Sequence, residues 1–177
     1  MEKNINVKKM ILNAILISIG ALLHQITPAL GLPMQPDFAL TMLFIIILIN
    51  DDYKTTLISS LIIGIITALT TKFPGGQLPN IIDKVVVGQI IYLIFKLIGN
   101  RLNNDIKIIV SLSFGTILSG VIFLFSASIL VGLPSSFISL IIVVVLPAVF
   151  INIFAGTILY KAIGRALKVT GAVISKL

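Results

Sequence analysis

The chain has 177 residues, of which 58% are hydrophobic and 11% charged, with a formal charge of +7, no Trp and no Cys. A soluble domain carries about 25% charged residues, so less than half that share at a mean hydropathy of +1.17 excludes a soluble enzyme, a disordered chain and a nucleic-acid module. The positive charge is therefore read as membrane topology before it is read as a binding surface. Absent Cys removes disulfides, thiolate metal sites and cysteine nucleophiles together.

The N-terminus, MEKNINVKKM, is basic and then apolar. The apolar stretch after it is too long for a signal sequence and has no small-x-small cleavage site, so it reads as a retained first span. Six apolar segments follow in order: about 10–30, 38–50, 55–71, 81–98, 106–131 and 137–163. The second is short and ends at Asp51-Asp52, the third runs into FPGGQLPN, and the sixth contains Pro147. Runs of this length lack the alternation of barrel strands. Lipid offers no backbone partners, so each must be helical. The expected fold is an all-α integral membrane protein, a single domain of six transmembrane helices.

Charge sets its orientation. Six spans place Lys3, Lys8, Lys9, Lys54, Lys96, Arg101, Lys107, Lys161, Arg165, Lys168 and Lys176 on one side, eleven of the thirteen basic residues. Only Lys72 and Lys84 fall on the other. Positive loops stay inside, so both termini are expected in the cytoplasm. Tyr53, Tyr92 and Tyr160 all fall near inner ends, where interfacial anchoring is expected.

Small residues recur four apart: Ala14 and Ser18 in the first segment, Ser60, Gly64 and Ala68 in the third, and Gly115/Ser119 with Thr116/Gly120 in the fifth. Such spacing lets helix backbones approach closely. It serves packing inside the bundle or a flat face for a partner helix.

Polar residues gather in two outer loops, HQITPALGLPMQPD (24–37) and TTKFPGGQLPNIIDK (70–84). Their prolines forbid regular helix and stiffen the loops, and Gly31, Gly75 and Gly76 permit close turns. The residue types that bind small zwitterions lie here: His24, Asp37, Lys72, Gln77, Asn80, Asp83 and Lys84. Asp83 and Lys84 sit at the start of an apolar segment, where retained charges pair or line a polar cavity. Alternatively Lys84 snorkels outward and Asp83 caps the fourth helix. Asp37 has the same two readings, ligand or N-cap of the second helix. His24, the one histidine, has no carboxylate or thiolate cluster around it and makes a poor metal site. Phe73 is either an aromatic wall or an interfacial anchor. Asn152 lies beyond Pro147, which should free a carbonyl and bend the sixth helix. Asn152 satisfies that bend or faces a cavity, and the first is the expected role. No phosphate-binding GxxxxGK[ST] loop, HExxH or GxSxG motif is present. The chain is expected to hydrolyse no ATP, to be no enzyme and to need no cofactor or metal.

The stretches ALLHQITPALGLPMQPDFALTMLF (21–44) and GIITALTTKFPGGQLPNIIDKVV (64–86) resemble the TrpP family of bacterial tryptophan transporters, as do GTILSG (115–120) and VGLP (131–134). The resemblance extends over nearly the full length. The family is grouped with the substrate-binding S components of energy-coupling factor (ECF) transporters, six-helix proteins of this size. The resemblance implies a multi-pass protein of the bacterial inner membrane that captures extracellular L-tryptophan beneath its outer loops. It implies delivery with an ECF transmembrane scaffold subunit and two cytoplasmic ATPases. The scaffold would contact an Ala-x-x-x-Ala face of the first helix, which here reads Ala14 and Ser18. The substrate ammonium would pair with Asp37 or Asp83, its carboxylate with Lys72 or Lys84. Gln77, Asn80 or His24 would accept the indole N–H, and Phe73 would stack on the ring. Two other classes stand beside this one: a stand-alone proton-coupled amino-acid carrier titrating His24 or Asp83, and a non-transporting membrane scaffold.

Overall fold

The structure, a computed structural model, describes residues 2–28 and 35–169, with side chains from residue 7 onward. The described residues form six helices and no strand: α1 (Glu2–Ile26), α2 (Phe38–Asn50), α3 (Tyr53–Leu69), α4 (Gln77–Ile98), α5 (Asn104–Leu130) and α6 (Phe137–Val169). Three are long and apolar enough to cross a membrane, and α2 and α3 are shorter apolar helices. Large apolar side chains cover the outside, with Phe150 and Phe154 each 74% exposed and Leu93 56% exposed. An outer surface of this kind is stable only against lipid.

α2 explains the architecture. Its 13 residues span about 20 Å at 1.5 Å per residue, short of the roughly 30 Å hydrocarbon core. Every residue from Ala39 to Ile49 is buried. A helix apolar on all sides is a buried one, and α2 is the post around which the other five helices pack. Both its ends are closed by neighbouring aspartates. Asp37 accepts from the Leu40 amide at 2.9 Å, and Asp51 takes the left-handed conformation (φ 49°) that ends the helix. Asp52 then caps α3, accepting from the Thr55 amide at 2.7 Å. That bond holds its carboxyl below the usual carboxylate range. Asn13 of α1 and Asn50 of α2 exchange amide hydrogen bonds of 3.3 and 2.9 Å, tying the first half of α1 to the end of α2.

Small residues set the α3–α4 contact. A Cβ on Gly88 would lie 2.1 Å from Ser60 Oγ, and one on Gly64 would lie 3.1 Å from the Ile81 Cα. Ser60, Gly64 and Ala68 thus serve packing within the bundle. Gly115 does the same against the Phe44 ring of α2.

α5 and α6 each contain one turn of π-helix, at Ser111–Gly115 and Ile141–Val145. In α6 the Leu146 amide bonds the Ile141 carbonyl, five residues back, just before Pro147. Proline can donate no bond and crowds the preceding turn, so the wider turn absorbs the defect expected at Pro147. π-turns are frequent at functional sites, and both of these flank the cavity described below.

The helix boundaries differ from expectation in instructive ways. α4 begins at Gln77 rather than near residue 81, because Pro79 falls in its first turn, where the missing N–H has no intrahelical partner to lose. α3 starts and ends two residues early, capped by Asp52 and Thr70. α5 covers 104–130, and α6 continues to Val169, past the expected end at 163. α1 ends at Ile26; its expected end at Leu30, and the turn glycine Gly31, lie outside the described residues. Tyr53 is exposed and packs edge-on to Tyr92 at 5.8 Å, but Tyr160 is buried at 7% exposure and is no interfacial anchor.

Candidate functional site

The site begins with the charges of α4. Asp83 and Lys84 lie two turns inside this helix, each 1% exposed. Gly76 occupies the N-cap position, so Asp83 does not cap the helix, and Lys84 does not snorkel. Neighbours in helix sequence do not ordinarily face one another. Here both turn inward because partners on α2 and α5 receive them. Lys84 Nζ lies 2.7 Å from Asp37 Oδ2 and also pairs closely with Asp83 Oδ2. Ser119 of α5 donates to Asp83 Oδ2 at 2.8 Å. Asp37 therefore caps α2 through Oδ1, one of its two expected roles, and also pairs with Lys84 through Oδ2. Two carboxylates share one ammonium, and Asp83 Oδ1 is buried without a hydrogen-bond partner among the described residues.

Around this cluster lies a cavity between the ends of α1, α2 and α4 and the facing surfaces of α5 and α6. The buried His24 and the exposed Lys72 line it near the end of α1. His24 Nδ1 shares a 2.7 Å hydrogen bond with the Thr70 hydroxyl, and its carbonyl accepts from Gln35 at 2.6 Å. Lys72 donates to the Thr27 carbonyl, just past the end of α1. A cation there neutralises the negative end of the helix dipole. Phe73 is buried, edge-on to Phe123 of α5 with ring centroids 5.2 Å apart. The loop that carries Phe73 turns at Gly75 (φ 71°) and rests on Val131, so the Pro/Gly-rich segment is packed down over α5.

The far wall is uncharged. α6 contributes Val144, Val145, Ala148 and Asn152. Asn152 is fully buried; its Nδ2 donates to Thr116 Oγ1 at 3.2 Å, while its Oδ1 has no partner among the described residues. The cavity is thus amphiphilic, with charges along α2 and α4 and an apolar wall holding one amide along α5 and α6. Among the described residues, no group of three or more His, Cys, Asp or Glu could hold a metal ion.

Seven of the eight expected substrate residues line this one cavity: His24, Asp37, Lys72, Phe73, Asn80, Asp83 and Lys84. Gln77 does not; it is the exposed first residue of α4 and points elsewhere. Asn80 donates its amide to the Gly76 carbonyl at 2.8 Å. Ala14 and Ser18 lie on the exposed face of α1, where the Ser18 hydroxyl bonds back to the Ala14 carbonyl at 2.8 Å. Of the two roles open to Asn152, bracing the bend at Pro147 or facing a cavity, its side chain takes the second: it lines the cavity and bonds Thr116 of α5. Thr116, Ser119 and Gly120 were visible only as small residues suited to packing. Gln35 and Phe123 carried no signal, since nothing in sequence aligns them with the charged helix.

A model of the family described as "Tryptophan transporter TrpP" matches residues 6–168. A "Probable tryptophan transport protein" of Clostridium perfringens is 49% identical over 172 residues, covering 92% of this chain and 94% of that protein. One of the same description from Clostridium acetobutylicum is 47% identical, covering 93% and 96%. Another from Bacillus subtilis is 39% identical, covering 91% and 93%. No solved structure matches the chain. With a match running through all six helices and every charged group of the cavity, the chain belongs to the TrpP family of tryptophan transporters, multi-pass membrane proteins of bacteria and not enzymes.

Proposed function

We propose that this protein captures L-tryptophan from outside the cell and delivers it inward, with both termini in the cytoplasm. The observation that carries the reading is the amphiphilic cavity: an acidic cluster with a free carboxylate oxygen, a basic rim, and an aromatic and aliphatic wall. The ammonium of a bound amino acid would meet Asp83 Oδ1 and the Asp37 carboxylate. Its carboxylate would meet Lys72, which would exchange the Thr27 carbonyl for a charged partner, a stronger bond. The ring would lie along Phe73, Phe123 and the α6 wall.

Binding to purified protein tests this directly. The chain contains no Trp, so the emission of added tryptophan reports its own transfer into the cavity. Saturable binding of tryptophan, stronger than that of alanine or lysine, is the expected result. Absence of any saturable binding would remove the reading.

For the energy source we propose an ECF module, a membrane scaffold with two cytoplasmic ATPases. Supporting it is the small, exposed Ala14–Ser18 surface of α1, left uncovered by the other five helices. A proton-coupled carrier would instead use the buried Asp83 or His24. Uptake into proteoliposomes that contain only this chain, driven by a proton gradient, would decide for that alternative.

A further inference from the structure

We infer that Asn152 Oδ1 accepts the indole N–H and is the residue by which the cavity tells tryptophan from other large aromatic amino acids. The inference rests on the tryptophan reading above.

The argument starts from what the cavity leaves unmatched. Among the described residues, three that line the cavity bear a buried oxygen with no hydrogen-bond partner: Gln35 Oε1, Asp83 Oδ1 and Asn152 Oδ1. All three are acceptors. A buried acceptor without a donor is costly, so the natural occupant brings N–H groups to more than one place. An amino acid with an aliphatic or phenyl side chain brings them only at its ammonium. Tryptophan adds one more, on the ring.

Position assigns the acceptors. Asp83 lies within the charged cluster and Gln35 beside His24 and Lys72, at the end suited to the zwitterion. Asn152 stands on the wall made by α6, whose other lining residues are all apolar. Ser119, which holds Asp83, and Thr116, which holds Asn152, are three residues apart on α5 and so stacked on one face, with Cβ atoms about 5–6 Å apart. The two side chains that carry free oxygens are therefore held from points about one helical turn apart on α5, a spacing comparable with the separation of amino group and ring nitrogen in tryptophan.

Thr116 also fixes the amide. Because Nδ2 is used on Thr116, the amide keeps its oxygen for the cavity. A turn further along α6, Gly156 is packed against Leu112 and Thr41, which close the space beyond Asn152. A neutral amide is suited to a neutral N–H, whereas the carboxylates are taken by ammonium groups.

The test compares L-tryptophan with 3-benzothienyl-L-alanine, in which sulfur replaces the ring N–H at nearly unchanged shape. Both are titrated calorimetrically into purified wild-type protein and into Asn152→Leu. Wild type should bind the sulfur analogue at least about tenfold more weakly, the weight of one unmatched buried acceptor. Asn152→Leu should weaken tryptophan by a similar factor and bind both ligands equally. Equal binding of the two by wild type would overturn the inference while leaving the tryptophan reading intact. So would an Asn152→Leu protein that weakens both ligands alike and keeps their ratio, since Asn152 would then act on the ammonium or on packing. If wild type bound neither ligand, the tryptophan reading itself would fall, and this inference with it. Should Asn152→Leu not fold, Thr116→Val provides the second variant. Freed from its anchor, the amide should lose most of the discrimination; an unchanged ratio would again overturn the assignment.

Discussion

The Lys84 ammonium lies 2.7 Å from the carboxylate of Asp37, the residue that caps the central helix α2. One contact therefore locks α4 to the post of the bundle and also sets the charge of the binding cavity.

Removing one member of a buried, hydrogen-bonded ion cluster leaves the others uncompensated, at a cost of about 3–5 kcal/mol. Lys84→Met should therefore lower the thermal unfolding midpoint of the detergent-purified protein sharply, because it leaves Asp37 and Asp83 together without a cation. Lys84→Met combined with Asp83→Asn should recover part of that loss. A double variant no more stable than the single one would show that carboxylate repulsion is not the cause.

Asp83→Asn keeps the shape of the side chain and an acceptor for Ser119 while removing the charge offered to an ammonium. Its tryptophan affinity should fall by at least about tenfold, consistent with a charge-assisted bond roughly twice as strong as a neutral one. Lys96 provides the control. It is paired with Asp51 at 3.4 Å on the surface, and exposed pairs of this kind contribute about 0–1 kcal/mol. Lys96→Ala should leave binding unchanged in the same fluorescence titration.

Gly88→Ala would drive a methyl group into Ser60 Oγ, 2.1 Å from the new carbon. Overpacking of this type costs about 1–3 kcal/mol. Ser60 Oγ makes no hydrogen bond of its own, so Ser60→Ala should be close to neutral. Adding it to Gly88→Ala should restore most of the lost stability. Thermal melts of the three variants check whether the α3–α4 contact, and not a general intolerance of helix changes, is responsible.

Phe73 and Phe123 meet edge-to-face across the cavity mouth. Aromatic pairs of this geometry contribute about 0.5–1.5 kcal/mol beyond area burial. Phe73→Leu should weaken tryptophan several-fold and speed its release, measured by stopped-flow fluorescence, while leaving thermal stability little changed. Unaltered affinity and release would show that the ring only anchors the loop.

Much of this protein was written along its chain. Uniform hydropathy, the near-absence of charge and the one-sided distribution of Lys and Arg determined helices, their number and their expected orientation, because lipid permits no other way to satisfy the backbone. Asp83 and Lys84, the charges left at the start of an apolar segment, marked the cavity, since their burial in a membrane is too costly to be incidental. What the sequence left open were choices between local and distant partners. Asp83 as cap or cavity lining, Asn152 as brace for Pro147 or cavity wall, and the small residues of α5 as packing or lining all read alike in one dimension. Only the bundle decided them. Bringing α4 against α2 let Lys84 reach a carboxylate 47 residues away in sequence, and bringing α6 against α5 turned an isolated asparagine onto Thr116. A helix periodicity tells which residues share a face. Which face they meet depends on the packing of the other five helices, and that alone separated the cavity's Asn152 from the outward-facing Gln77.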